Sequence, residues 1–215
     1  MPNIPIRNEI PSTSHLSPIL EEGSYPDYKT IIKEVSKEGM ISALNGLKRN
    51  EALVHLDMRR HQSFINTANS INNIYTNTSI GGNIDTHRYF VCFCASEPVG
   101  IMIFIPVSSI SSHDAADLIG YILTYPGGQG YGSLLIEHAV NFSISLNHSG
   151  ILKLNAESYA IPIYQRLGFV FTNNSNFGAV EMRLDPKISK RWSVIPNGYR
   201  LTKSHSLFNW QCHIL

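Results

Sequence analysis

Charged side chains are scarce in this chain, and the scarcity excludes several kinds of partner. Asp, Glu, Lys and Arg make up 15% of the 215 residues, whereas ordinary soluble domains contain roughly 25%. The formal net charge is +1 and like-charged runs are very short. This argues against nucleic acid as a partner, because phosphates attract a basic surface excess. The longest apolar run, residues 99–107, is too short to span a bilayer, so no membrane partner is expected.

Cysteine is also scarce, and three residues do not suggest a disulfide framework. Cys92 and Cys94 stand two apart in an apolar run, so both should face one side of a strand as buried thiols. The nine histidines show no metal-ligand spacing, so no metal is predicted. The N-terminus lacks the apolar segment of a conventional signal peptide. We therefore expect a reducing, cytoplasmic compartment.

The most informative feature that is present is a glycine-rich segment at residues 124–139, Thr-Tyr-Pro-Gly-Gly-Gln-Gly-Tyr-Gly-Ser-Leu-Leu-Ile-Glu-His-Ala. It follows an apolar, strand-like run at 118–123 and leads into a helical pattern. A strand, a glycine turn and a helix N-terminus form a cradle for an anion, because the first N–H groups of a helix point outward and its dipole is positive there. Glycines also let the backbone approach a phosphate closely.

A second motif, Ala160-Ile-Pro-Ile-Tyr-Gln-Arg-Leu-Gly-Phe169, lies just beyond the next predicted strand. Together the two motifs resemble the signatures of the GNAT family of N-acetyltransferases. Residues 128–135 are similar to its acetyl-coenzyme A pyrophosphate loop, and residues 160–169 to its second signature. The resemblance covers roughly residues 87–185. It implies an α/β (α+β mixed sheet) domain with a GNAT-like acyl-CoA N-acyltransferase fold.

The resemblance also implies acetyl-CoA as co-substrate and assigns its contacts. The strand before the loop would pair through its backbone with the pantetheine amides, and a bulge would splay it from the next strand to open a slot. Gly127 takes the place of the family's usual Arg or Gln, so the cradle has no fixed positive charge. Glu157 stands where the family often has Asn. The implied cofactor-binding residues are Ile122, Leu123, Thr124, Gly127, Gly128, Gln129, Gly130, Tyr131, Gly132, Ser133 and Asn155.

Acyl transfer to an amine also requires a proton donor for the thiolate and a proton acceptor for the amine. Tyr164 occupies the position of the family's frequent general acid; the alternative is a tyrosine that only packs in the core. Asp117, at the start of the strand before the cradle, is the predicted base, with His113 and Asp114 just upstream. The alternative for Asp117 is a polar residue where the strand starts. His138 is interpreted as a surface or half-buried histidine.

Four segments are expected along the chain: an extended leader at 1–27, a helical N-terminal part at 28–86, the acetyltransferase core at 87–185 and an aromatic C-terminal appendage at 186–215. A doubly wound dinucleotide fold is disfavoured, because its glycine turn follows the first strand. The predicted helices are Tyr28–Leu47, Ser133–Leu146 and Tyr159–Arg166. Ala52–Met58 is either a strand or the start of a helix that continues to Ile74, and 75–86 is a loop. The predicted strands are Arg88–Ala95, Gly100–Val107, Asp117–Thr124, Ile151–Asn155, Phe169–Thr172 and Val180–Leu184.

The leading functional interpretation is an acetyl-CoA-dependent N-acetyltransferase that acts on a primary amine of a small molecule or protein. An alternative is a degenerate acetyltransferase fold that acts as an acyl-CoA sensor or protein-binding module. A third is a secreted bacterial effector, with the Ser- and Pro-containing leader as export signal. A homodimer stays open as the assembly state.

Overall fold

The core of the protein is a seven-stranded mixed sheet with helices on both faces. The computed structural model describes residues 29–51, 58–76, 84–108, 115–176 and 179–202. The strands run in the order β1-β2-β3-β4-β5-β7-β6, and a separate hairpin pairs β8 with β9. The strands are β1 (Thr30–Val35), β2 (Arg88–Cys94), β3 (Glu97–Ile105), β4 (Asp117–Thr124), β5 (Leu152–Ala156), β6 (Val170–Asn176), β7 (Ala179–Leu184), β8 (Trp192–Ile195) and β9 (Gly198–Leu201). The helices are α1 (Lys37–Glu51), α2 (Met58–Thr76), α3 (Tyr131–Ser145) and α4 (Ile161–Arg166), with a short 3₁₀ turn at Ile84–Thr86.

Neighbouring strands in the sheet are antiparallel except for β4 and β5, which are parallel. A parallel pair needs a long crossover, and α3 provides it. This arrangement confirms the predicted mixed sheet. The β2–β3 hairpin lies ahead of the glycine turn, which therefore follows the fourth strand of the chain rather than the first.

The β4 strand contains the predicted bulge and parts from β5 after three residues. Tyr121 pairs with Ile103 and Ile119 with Phe104, so Gly120 has no partner on β3. Only residues 117–119 of β4 pair with β5. Since a bulge bends and twists its strand, β4 leaves β5 beyond Ile119 and a gap opens between them toward their C-terminal ends.

The two faces of the sheet carry separate cores. Successive side chains of a strand point to opposite faces, and the β2 and β3 strands are buried on both. One face packs against α3 and contains Phe90, Met102, Ile119 and both Cys92 and Cys94, which share this buried face as predicted. Cys92 is a free thiol, but Cys94 is disulfide-bonded, so the prediction of two thiols is wrong for Cys94. The other face packs against α1 and α2, whose core side chains are Met40, Ala43, Leu44, Leu47, Phe64, Ala68, Ile71 and Tyr75.

The predicted helix Tyr28–Leu47 is wrong in its first half, because Thr30–Val35 forms β1 at the sheet edge and pairs with β2. Its β-branched residues favour a strand, and their spacing alone did not separate the two structures. The helix then starts beyond Ser36, whose hydroxyl accepts a hydrogen bond from the Gly39 N–H at 3.1 Å. Ser36 is therefore an N-cap, and Gly39 lies in the first turn rather than at a break.

Other predicted elements hold with shifted ends. The β2–β3 turn is shorter than expected, because Ala95 and Ser96 adopt positive φ angles of 48° and 74° and form a two-residue hairpin turn. The predicted loop at 75–86 starts later, since α2 runs to Thr76. As far as the structure describes it, to residue 202, the appendage packs against the core through Trp192, Tyr199 and Leu201. The leader 1–27 and most of Ala52–Met58 lie outside the described residues.

Candidate active site

The glycine-rich segment forms an open cradle at the N-terminus of α3. Gly130 is the N-cap residue, with φ of 82°, and its carbonyl accepts hydrogen bonds from the N–H groups of Ser133 (2.9 Å) and Leu134 (3.2 Å). Gly128 also has φ of 82°, a conformation that favours glycine. A Cβ atom added at Gly127, Gly128 or Gly132 would meet nothing within 4 Å. Open space therefore lies directly over backbone that can bind an anion, as a pyrophosphate requires.

Two tyrosines hold this loop to the domain. Tyr125 is buried, its N–H donates to the Val99 carbonyl at 2.9 Å, and its ring meets Phe64 of α2 edge to face at 6.1 Å. Tyr131 is 4% exposed and belongs to the core under α3. Only the backbone of Tyr131 can thus face the cradle, whereas Gln129 and Ser133 are half-buried at its rim.

The gap between β4 and β5 leads away from the cradle. Ile122, Leu123 and Thr124 pair with β3 along one edge, and they lie beyond the last residue that pairs with β5. Their second backbone edge consequently faces the gap, where an extended ligand could add as a strand does. Asn155 is exposed on the opposite side, near the end of β5.

Tyr164 lies at the same edge of the sheet as the cradle. Both follow the C-terminal end of a strand, and the two strands are parallel, so their C-terminal ends meet at one edge. The Tyr164 ring is partly buried and packs edge to face on Phe169 at 5.6 Å. Burial, and then the neighbouring Tyr159, raises the pKa of its hydroxyl above the ordinary tyrosine value. The group therefore keeps its proton at neutral pH.

Asp117 lies at the other end of β4, about 23 Å of strand from Thr124 at roughly 3.3 Å per residue. Its carboxylate is 1% exposed. It accepts a hydrogen bond from the Val107 N–H at 2.8 Å, and both of its oxygens contact His148 Nδ1, at 2.9 and 3.0 Å. Asp117 also sits in the part of β4 that is paired with β5. The carboxylate is thus engaged and enclosed, and His113 and Asp114 lie outside the described residues.

His138 is half-buried, as predicted. Its ring stacks on Phe142 at 6.2 Å and meets Phe90 at 4.7 Å. Burial lowers its pKa, and Glu34 opposes that shift. The Nε2 atom is buried without a hydrogen-bond partner among the described residues. The neutral imidazole therefore serves as an aromatic packing residue on α3.

Two contacts near Tyr164 were missed by sequence reasoning. The Ser63 hydroxyl of α2 donates a hydrogen bond to the Tyr159 hydroxyl, which joins α2 to the segment before α4. The Trp192 indole donates to the Leu167 carbonyl at the end of α4 at 2.8 Å. The two pairs of residues are 96 and 25 positions apart in the sequence, so no local sequence pattern predicts either contact.

Neither a metal-ligand cluster nor a membrane-spanning helix occurs in the described ranges. No group of three or more His, Cys, Asp or Glu side chains there could hold a metal ion. Within the same ranges, no helix has the length and apolar character needed to cross a membrane.

A parallel strand pair that parts beside a glycine-capped helix is the arrangement of an acyl-CoA N-acyltransferase fold. The family model of the GNAT acetyltransferase domain matches residues 73–184, just over half of the chain. The chain therefore belongs to the GNAT acetyltransferase family. No curated protein sequence matches it.

Two solved structures show the same fold at low sequence identity, and a third is a weaker structural match. A protein classed with the GNAT acetyltransferases of Desulfovibrio desulfuricans aligns with a TM-score of 0.53 and 10% identity, over 73% of this chain and 99% of its own. An acetyltransferase-like protein of Staphylococcus epidermidis aligns with a TM-score of 0.50 and 15% identity, over 72% of this chain and 96% of its own. PaiA N-acetyltransferase of Thermoplasma acidophilum, solved with coenzyme A, aligns with a TM-score of 0.48 and 13% identity, over 73% of this chain and 99% of its own.

Proposed function

We propose that this protein is an acetyl-CoA-dependent N-acetyltransferase that acts on a primary amine. Acetyl-CoA is the co-substrate that membership of the family implies, and it supplies an activated acetyl thioester. The single observation that carries the proposal is the continuity of the site. An open cradle of glycine backbone, a gap beside the free edge of β4, and a protonated tyrosine all lie at one edge of the sheet.

Each part of that edge has its own task. The backbone around Gly128 to Ser133 binds the pyrophosphate through N–H groups and the helix dipole, without the help of a cationic side chain. The backbone of Ile122 to Thr124 binds and aligns the pantetheine amides, while Asn155 contributes a polar side chain from β5.

Tyr164 is the proposed general acid. Its Oη holds the proton that the departing thiolate takes up, and a raised pKa keeps that proton in place until the carbon–sulfur bond breaks. Within the described ranges, no hydrogen bond from another group occupies this hydroxyl. The hydroxyl is thus available to a ligand in the gap.

Asp117 stays a prediction for the general base, and its surroundings count against direct contact with an amine. The carboxylate is enclosed and bound by His148 and the Val107 N–H. The His148 side chain is 13% exposed, against 1% for Asp117. A proton that the amine substrate gives up to this pair would therefore arrive at His148, and Asp117 would orient the imidazole ring.

A second candidate function is an acyl-CoA sensor that binds without turnover. The observation in its favour is the absence of a fixed charge in the cradle, where Gly127 is exposed at the position of the family's Arg or Gln. The test is a panel of small amines and peptides incubated with acetyl-CoA, with thiol release and acetylated product both measured. Product formation that the Gly132→Glu variant lacks supports the enzyme; tight binding with no product on any amine supports the sensor.

A further inference from the structure

The C-terminal hairpin is bound to the cradle helix by a ladder of side-chain hydrogen bonds. On α3, Glu137 Oε2 accepts from the Leu201 N–H at 2.9 Å. One turn later, Asn141 accepts from the Tyr199 N–H at 2.8 Å and donates to its carbonyl at 2.9 Å. Four helix residues rise about 6 Å and two strand residues about 6.8 Å. Alternate residues of β9 therefore meet successive turns of α3.

A glycine makes this approach possible. Gly198 has φ of 144°, and a Cβ atom there would overlap the Asn141 side chain. The outer backbone edge of β9 is thus paired with a helix instead of another strand. The hairpin is held to α3 at two turns, in the helix whose N-terminus forms the cradle.

The other strand of the hairpin holds the end of α4. Trp192 is paired with Leu201 in the hairpin and is 7% exposed. Its indole N–H donates to the Leu167 carbonyl at 2.8 Å. The next residue, Gly168, has φ of 94°, and a Cβ atom there would overlap Ser189. The turn that ends α4 is therefore packed tightly onto the segment that leads into β8.

Tyr164 is directly connected to this turn. Its carbonyl accepts from the N–H groups of Leu167 and Phe169, both at 3.0 Å, and its ring packs on Phe169. Leu167, Phe169 and Trp192 share one buried cluster. A shift of the Trp192 indole would consequently move the backbone turn on which the Tyr164 ring is mounted.

We propose that the β8–β9 hairpin is a brace between α3 and α4, and that Trp192 is a positioning residue for Tyr164. The proposal rests on the role of Tyr164 proposed above. The hairpin lies beyond residue 184, where the match to the family domain ends. The brace therefore lies outside the matched domain, and it sets the position of Tyr164 relative to the bound cofactor without touching either the cofactor or the acceptor.

The test compares Trp192→Phe, which keeps an aromatic ring and removes the donor, with Val194→Thr, an exposed control on the same strand. We expect Trp192→Phe to lower kcat about 5- to 50-fold and to change the acetyl-CoA Kd less than about twofold. In the Tyr164→Phe background, Trp192→Phe should lower kcat no further, because its effect on the rate depends on the Tyr164 hydroxyl, which that background lacks. An equal loss in both backgrounds, or no loss in the parent, overturns the proposal.

A second measurement tests the brace whether or not the protein has catalytic activity. In protein labelled with ¹³C-tyrosine, Tyr164→Phe identifies the ring signal of Tyr164. Trp192→Phe and Glu137→Ala should both shift that signal, whereas Glu137→Gln, which keeps an acceptor for the Leu201 N–H, and Val194→Thr should not. A Tyr164 signal that stays in place in both disruptive variants overturns the brace. If the parent protein forms no acetylated product but the Tyr164 signal shifts in both disruptive variants, the result counts against the proposed function and not against the brace.

Discussion

The cradle can be tested at Gly132 with little disturbance of the fold. Gly132 lies in the first turn of α3, has no positive φ, and a Cβ atom there would point into open space. By contrast, Gly128 and Gly130 both have φ of 82°, where any side chain adds strain. Gly132→Glu therefore places a carboxylate over the cradle with little cost to the backbone, and Gly132→Ala is its matched control.

The expected loss of affinity follows from charge repulsion. Two unit charges 4 Å apart repel by about 1 kcal/mol in bulk water and about 4 kcal/mol at the effective dielectric constant of a protein surface. Each 1.4 kcal/mol changes the dissociation constant tenfold, so Gly132→Glu should weaken acetyl-CoA binding by roughly 5- to 700-fold. Stability should move the other way. Replacing a helical glycine gains about 0.5–1 kcal/mol, and an acidic side chain near a helix N-terminus adds about 0.3–1 kcal/mol.

Isothermal titration calorimetry with acetyl-CoA and thermal melts of the free proteins measure both quantities. The expected pattern is a Tm at or above that of the parent in both variants, with affinity lost in Gly132→Glu and kept within about threefold in Gly132→Ala. Parental affinity in Gly132→Glu would refute the placement of the pyrophosphate at this helix. A low Tm in Gly132→Glu alone would refute the claim that the space over Gly132 is open.

Three further substitutions test the remaining assignments. Tyr164→Phe should lower kcat about 10- to 1000-fold with an unchanged acetyl-CoA Kd; steady-state rates equal to the parent would leave Tyr164 a packing residue. Asp117→Asn should flatten the rising limb of the pH–rate profile if the pair with His148 is the base, whereas a parental profile with a lowered Tm identifies the carboxylate as structural. His138→Phe should raise stability by about 1 kcal/mol, because it removes a buried nitrogen without a partner. Burial lowers the pKa of His138 in the folded protein. The folded state therefore keeps its full stability at neutral pH and loses stability as pH falls below the pKa of the unfolded chain, because the unfolded chain then takes up the proton more readily. Urea melts at two pH values should show that acid destabilises the variant less than the parent.

The local signals of the sequence located the cradle well. The glycine segment, the strand before it and the motif around Tyr164 each depend on a few adjacent residues, and the structure places them in the predicted elements. Turn chemistry and helix caps act over three to five positions, so a sequence displays them directly. The bulge at Gly120 was expected only through the family resemblance.

What sequence reasoning could not supply depends on distant partners. β1 has the composition of a strand or a helix, and only its pairing with β2, more than 50 residues away, decides between them. The enclosure of Asp117 depends on His148, and the hydrogen bond between the Trp192 indole and the Leu167 carbonyl spans two elements with no shared pattern. Tertiary context of this kind overrides local propensity.

The brevity of the β4–β5 pairing has a mechanical consequence. Strands β1–β4 form one plate and strands β5–β7 another, and within the sheet only three residue pairs join them. This is the shortest ladder in the sheet, so backbone pairing joins the two plates more weakly here than it joins any other neighbouring strands. A ligand that binds the backbone on both sides of the gap would take the place of the missing rungs. Hydrogen exchange of β5 should then slow when such a ligand is added, and the co-substrate would stiffen the sheet on which it reacts.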